Sequence, residues 1–81
     1  MVFPRQIINE FKWRCDRDLK KLRIFYVHRG APGDTGVISG EDIVDIGRSF
    51  LNTGNSMIPY HRIRIIEYLD EAGNVVERWE F

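Results

Sequence analysis

At 81 residues and 9.6 kDa the chain is long enough for one domain with a single core and too short for two, so residues 1–81 are expected to form a single domain. A composition 43% hydrophobic and 30% charged, with five Phe, three Tyr and two Trp, is that of a folded protein and excludes a disordered chain. Twelve Lys and Arg balance twelve Asp and Glu, so no overall field draws the chain to a polyanion or an anionic membrane, and any anion site has to be local.

No apolar run approaches the roughly 20 residues of a membrane span, and residues 1–5 open no signal peptide. A cytoplasmic protein without a membrane partner is therefore expected. The lone Cys15 allows neither an internal disulfide nor a Cys-rich zinc site. A chain this short buries only about 60–65% of its unfolded surface, so ordinary packing has to hold the fold, with homodimer formation as a further aid.

Pro4 suits the first turn of a helix, and Ile7, Ile8, Phe11 and Cys15 follow at helical spacing, which predicts an amphipathic helix over 4–13. Trp13 lies about 200° around from Phe11, so it either covers the helix end or marks where the helix stops, and the second is favoured. The stretch from Lys12 to Arg23 carries six basic residues against Asp16 and Asp18. It reads either as a solvated connection or as added attraction beside a phosphate site. Zero net charge thus hides an asymmetry, with eight basic and four acidic groups in residues 1–40 and the reverse in 41–81.

Residues 22–29, rich in β-branched and aromatic side chains, predict a strand. Ile24 and Tyr26 on one face and Phe25 and Val27 on the other point to a central, largely buried position. Three glycines and a proline in residues 30–36 predict an irregular loop whose backbone N–H groups can turn toward a ligand. Val37-Ile38 reads as a short extended piece, and Ser39 to Asp42 as a helix start of one turn. Ile43 to Leu51 reads as a strand interrupted by Gly47, and residues 52–55 as a turn. Met57 to Leu69 reads as another strand, with Pro59 marking its start, an edge or a bulge, and with Ile63 and Ile65 alternating against Arg62 and Arg64. Residues 70–74 turn the chain into a last strand, Val75 to Phe81, in which Val75, Glu77, Trp79 and Phe81 share a face. Short connections demand antiparallel neighbours. The expected class is α+β, an N-terminal helix packed on a curved, mainly antiparallel sheet of four to five strands.

Both histidines precede an arginine, in His28-Arg29 and His61-Arg62. Alternation along a strand sends His and Arg of one pair to opposite faces, so a shared cluster needs one His and one Arg from each motif, or an irregular backbone at Gly30 and Pro59. Were they to converge, the chemistry suits a phosphate: Arg offers a planar fork for two oxygens, and His donates or accepts a proton near neutral pH. Gly30, Gly33 and Gly36 add backbone donors. The plain alternatives are a half-buried hydrogen-bonded His, an Arg in a surface ion pair, and an Asp34 that only shapes its turn; Asp34 could also orient Arg29 or His28. His28, His61 and Asp34 could offer three metal ligands, but without any metal-site spacing none is expected, and no cofactor is implied. Cys15 reads as a buried structural thiol. Tyr26, Tyr60 and both Trp read as core residues, although Tyr60 beside His61 could face a nucleobase or ribose.

Residues 26–34, Tyr-Val-His-Arg-Gly-Ala-Pro-Gly-Asp, followed about 25 residues later by Ile58-Pro59-Tyr60-His61-Arg62-Ile63, resemble the signature of a small, mainly archaeal family described as an RNA cyclic group end recognition domain. The similarity extends over nearly the whole chain, from Phe11-Lys12-Trp13 to Trp79. What the resemblance implies is binding of RNA 3′ ends that carry a 2′,3′-cyclic phosphate, in RNA processing or repair, with the two His-Arg motifs as contacts. With no appended enzymatic domain, the chain would work alone or with a separate RNA-processing enzyme. The expected phosphate and RNA contacts are His28, Arg29, Gly30, Gly33, Asp34, Tyr60, His61 and Arg62. Two other functions compete with this reading. One is a metal-independent cyclic phosphodiesterase with His28 and His61 as general base and acid, although the H-x-S/T pairs of two-histidine phosphoesterases are absent. The other is a protein-protein adaptor that uses the exposed part of its sheet.

Overall fold

The computed structural model describes residues 3–13, 18–30 and 32–81. Helix α1 spans Pro4–Trp13. Pro4 occupies the first helical position, where its missing N–H costs nothing, and the Gln6 side chain accepts the Phe3 backbone N–H at 2.9 Å to close the helix entry. Pro4, Ile7, Ile8 and Phe11 form the buried stripe that the spacing predicts. Trp13 is the last helical residue and is 73% exposed, its indole N–H donating back to Asn9 and the Lys12 ammonium lying 5.4 Å from its ring. It stands at the surface, as the last helical residue among those described. Cys15, together with Arg14 and Arg17 of the basic stretch, lies outside the described residues.

Seven strands follow: β1 (Leu22–Val27), β2 (Thr35–Ser39), β3 (Asp45–Ile46), β4 (Phe50–Asn52), β5 (Met57–Pro59), β6 (Ile63–Leu69) and β7 (Val75–Glu80). They make a four-stranded sheet ordered β2-β1-β6-β7 and a three-stranded sheet ordered β3-β4-β5, with every pairing antiparallel. The α+β class and the four-stranded antiparallel sheet under an N-terminal helix match the sequence reading, and the smaller sheet is an addition to it. Between the layers Ile24 of β1 stands opposite Ile66 of β6, and both are fully buried with Ile8, Leu22, Leu51 and Ile63. Each such side chain contributes about 1.5–3 kcal/mol through the water it leaves. The helix docks through Phe11, whose ring lies 4.9 Å from that of Tyr68 and 5.9 Å, edge-on, from that of Trp79.

Several expectations are corrected. Residues 43–51 are not one interrupted strand. Gly47 donates to the Phe50 carbonyl at 3.0 Å and reverses the chain into the β3–β4 hairpin, where a Cβ on Gly47 would stand only 2.8 Å from that oxygen. Residues 57–69 form two strands, because Pro59, which has no N–H to continue a ladder, leads into a 3-10 turn over Tyr60–Arg62. Ile63 and Ile65 do not share a face. A bulge at Arg64 sets Phe25 opposite Ile65 but Tyr26 opposite Ile63, so that Ile63 joins Ile66 in the core and Ile65 turns to the other side. A second bulge at Val76 puts Val75 opposite Leu69, out of step with the face of Glu77 and Trp79. β1 is central, as expected, but only its Leu22 and Ile24 face is deeply buried, because the helix covers one side of the sheet. On the uncovered side Glu67 joins three strands, accepting from Arg23 of β1 at 2.7 and 3.0 Å and lying 3.6 Å from Arg78 of β7.

Candidate functional site

The Gly-Pro loop is the connection of the β1–β2 hairpin. The His28 N–H donates to the Asp34 carbonyl at 2.9 Å, one step beyond the Val27–Thr35 pair, so His28 sits where the ladder ends. Gly30 and Gly33 close the loop with φ of 92° and 69°, and Asp34 also adopts a left-handed φ of 53°, a conformation Asp tolerates better than most residues. The Asp34 carboxylate bonds neither His28 nor Arg29 among the described residues, so its place here is that of a turn residue. Gly36 is not part of the loop. It lies in β2 opposite Tyr26, whose ring covers it so closely that a Cβ would come within 2.5 Å. With Tyr26 laid flat on Gly36, the next residue on the same side of β1, His28, stacks its imidazole on the phenol at 5.8 Å and 19°.

The second motif meets this column through the 3-10 turn. At three residues per turn, successive side chains point about 120° apart, and this separates three residues that a strand would have alternated. Tyr60 turns inward, donating its hydroxyl to the Gly47 carbonyl at 2.7 Å, an oxygen that also accepts the Arg5 Nε at 3.1 Å. Burial raises the Tyr60 pKa, with Asp45 adding to the rise and Arg5 opposing it. The phenol therefore anchors the turn on the β3–β4 hairpin. Arg62 points toward β1, and together with His28 it lines a cleft of about 230 Å³. Tyr26 closes one side of the cleft, and Ser56, Met57 and Pro59 at β5 close the other. No carboxylate among the described residues pairs with Arg62, so its charge is available to an anion.

The two His-Arg pairs are thus divided. The cleft takes His28 from the first and Arg62 from the second, a division that follows from the 3-10 turn after Pro59 and not from strand alternation. His61 opens instead onto a groove of about 720 Å³, with Tyr60, Arg64 and Trp79 among its walls. Arg29 and Gly30 are exposed on the hairpin loop and, with Gly33 and Asp34, line neither space. Neither cavity holds both imidazoles, and no three of His, Cys, Asp and Glu gather as metal ligands among the described residues. Sequence reasoning missed the β5 wall. Met57 is 60% exposed beside the cleft, and nothing in its sequence neighbourhood marks it. Tyr26, which reads as a core residue in the sequence, is a half-buried wall of the cleft, and only its pairing opposite Gly36 reveals this.

The family model described as the MJ1316 RNA cyclic group end recognition domain matches residues 1–80. The chain belongs to this family. Its relatives include the UPF0248 protein PAE2518 of Pyrobaculum aerophilum, 37% identical over 76 residues that cover 89% of this chain and 92% of the relative. A UPF0248 protein of Methanococcus vannielii is 38% identical over 65 residues, covering 80% and 78% of the two chains. One from Thermococcus onnurineus is 33% identical over 76 residues, covering 94% and 82%. No solved structure matches the chain. The backbone around the cleft is held by hydrogen bonds within the chain. Tyr60 is bonded to Gly47, His28 to Asp34, and the Thr53 N–H and hydroxyl both donate to the Ser56 carbonyl at 3.0 Å.

Proposed function

We propose that the chain is a binding module for RNA ends, which holds a terminal 2′,3′-cyclic phosphate between the His28 imidazole and the Arg62 guanidinium. The observation that carries this reading is the meeting of one residue from each His-Arg motif in a single cleft, in a chain whose family is described by RNA cyclic group end recognition. A cyclic phosphodiester bears one negative charge. The cleft offers it a guanidinium with no carboxylate partner among the described residues, an imidazole as second donor, and apolar Met57 and Pro59 against the ribose side of the ring. Arg29 and the N–H groups of Gly30 and Gly33, on the loop that follows His28, would contact the neighbouring phosphate, with Asp34 fixing their turn. A separate RNA-processing enzyme would act on the bound end. The phosphodiesterase alternative gains nothing from the geometry, because its two imidazoles open onto different cavities.

Titration with oligonucleotides that differ only in their 3′ end tests the proposal. The cyclic phosphate is expected to bind more tightly than the 3′-phosphate and the 3′-hydroxyl, and Arg62→Ala to weaken the cyclic end by at least about tenfold, the scale of a charge-assisted hydrogen bond. Arg62→Lys restores only part, since an ammonium keeps the charge without the fork. Equal affinity for the three ends would sink end recognition.

A further inference from the structure

The groove onto which His61 opens is larger than the cleft, and its lining is of a different kind. Four aromatic rings, Phe3, Tyr60, Trp79 and Phe81, stand around it with the cationic side chains of Arg64 and Arg78. Phe3 is 60% and Phe81 37% exposed, so a large part of this aromatic surface is not spent on the core. The one side-chain carboxylate in the lining, Glu80, is paired with Arg78, whereas Arg64 has no side-chain carboxylate partner among the described residues. The bulge at Arg64 produces this arrangement. It leaves Arg64 without a partner residue on β1, while on the β7 side the ladder runs on past Ile65 and Glu80, the Phe81 N–H donating to the Arg64 carbonyl at 2.9 Å, which holds the last aromatic residue against the groove. Aromatic faces combined with an unpaired arginine select planar, anionic ligands: bases have π faces to stack, and the phosphates between them seek the guanidinium.

The turn Tyr60–Arg62 is the partition between the groove and the cleft, with His61 on the groove side and Arg62 on the cleft side. We infer that the groove is a stacking site for unpaired bases of single-stranded RNA, those that lead up to the terminus held in the cleft. This inference rests on the RNA-end reading for the polarity of the strand, but not for the presence of bases. It gives Arg64, Phe3 and Phe81 a part in binding that the His-Arg motifs do not account for. A base-paired end would be excluded, since a stacked duplex offers no free base faces to the rings.

The experiment uses the full chain with Trp13→Phe, which leaves Trp79 as the only indole and alters an exposed residue. Two single-stranded RNAs of four residues with cyclic phosphate ends are compared, one with bases and one abasic upstream of the terminal nucleoside. The base-bearing RNA is expected to quench Trp79 emission and to bind about 5- to 100-fold more tightly than the abasic one. Phe3→Ala with Phe81→Ala should abolish that difference while leaving the abasic affinity unchanged. Equal affinity for the two RNAs with unaltered Trp79 emission overturns the groove assignment, even if the cyclic end is still preferred over the hydroxyl. Base-dependent quenching with no preference among 3′ ends supports the groove and overturns the end-recognition reading alone.

Discussion

A glycine decides the shape of the cleft. Because Gly36 presents no Cβ, the Tyr26 ring can lie on β2 and carry the His28 imidazole in a stack. Gly36→Ala puts a methyl group within 2.5 Å of that ring, and the ring has to swing away. We expect a stability loss of about 1–3 kcal/mol, the usual cost of overpacking, in denaturant unfolding, together with weaker binding of the cyclic end. An unchanged affinity would mean that the stack does not orient His28. Gly36 also shows where residue-level reading of a sequence misleads. In a run of three closely spaced glycines all look like loop, and only strand pairing separates the two that supply positive φ from the one that lies under a ring. Tyr60 shows the same limit, since its role as an anchor depends on a carbonyl thirteen residues away.

At the scale of elements, the helix, β1, β7 and the antiparallel four-stranded sheet were legible because their signals are periodic and local: an i, i+3, i+4, i+7 stripe, β-branched runs and glycine turns. The break between β5 and β6 and the bulges at Arg64 and Val76 were not, because an apolar residue at either parity looks equally suited to a strand until the partner strand sets the register. The division of the two motifs follows from that hidden feature, a 3-10 turn in place of continuous strand. The β6–β7 connection offers a test of local capping. The Asp70 carboxylate accepts the N–H groups of Ala72 and Asn74 at 2.9 and 2.8 Å, and these bonds, that of Asn74 foremost, lower its pKa from the ordinary 3.8. A pKa lowered on folding stabilises the fold above the unfolded value and ceases to do so as pH falls through the folded one. The stability difference between wild type and Asp70→Asn should therefore be constant near neutrality and close below about pH 4, as read from denaturant unfolding at several pH values. A difference that does not vary with pH would show that the carboxylate charge is immaterial to the turn.

For the whole molecule, balanced charge argues against coating a nucleic acid and for gripping one end of it. Half of the chain is basic and half acidic, and the cleft draws His28 from the first and Arg62 from the second. Two or three phosphate contacts on a single strand predict a slope of about −2 for log affinity against log salt. A slope several times steeper would indicate broad electrostatic binding instead. The most direct measurement follows the side-chain NMR signals of His28, Arg62 and Arg29 while a nucleoside 2′,3′-cyclic phosphate is titrated in. The His28 imidazole and Arg62 guanidinium signals are expected to move together and saturate, with the 3′-hydroxyl nucleoside leaving both in place. Signals that stay fixed, or that move equally with the hydroxyl compound, would contradict a cyclic-phosphate site in the cleft.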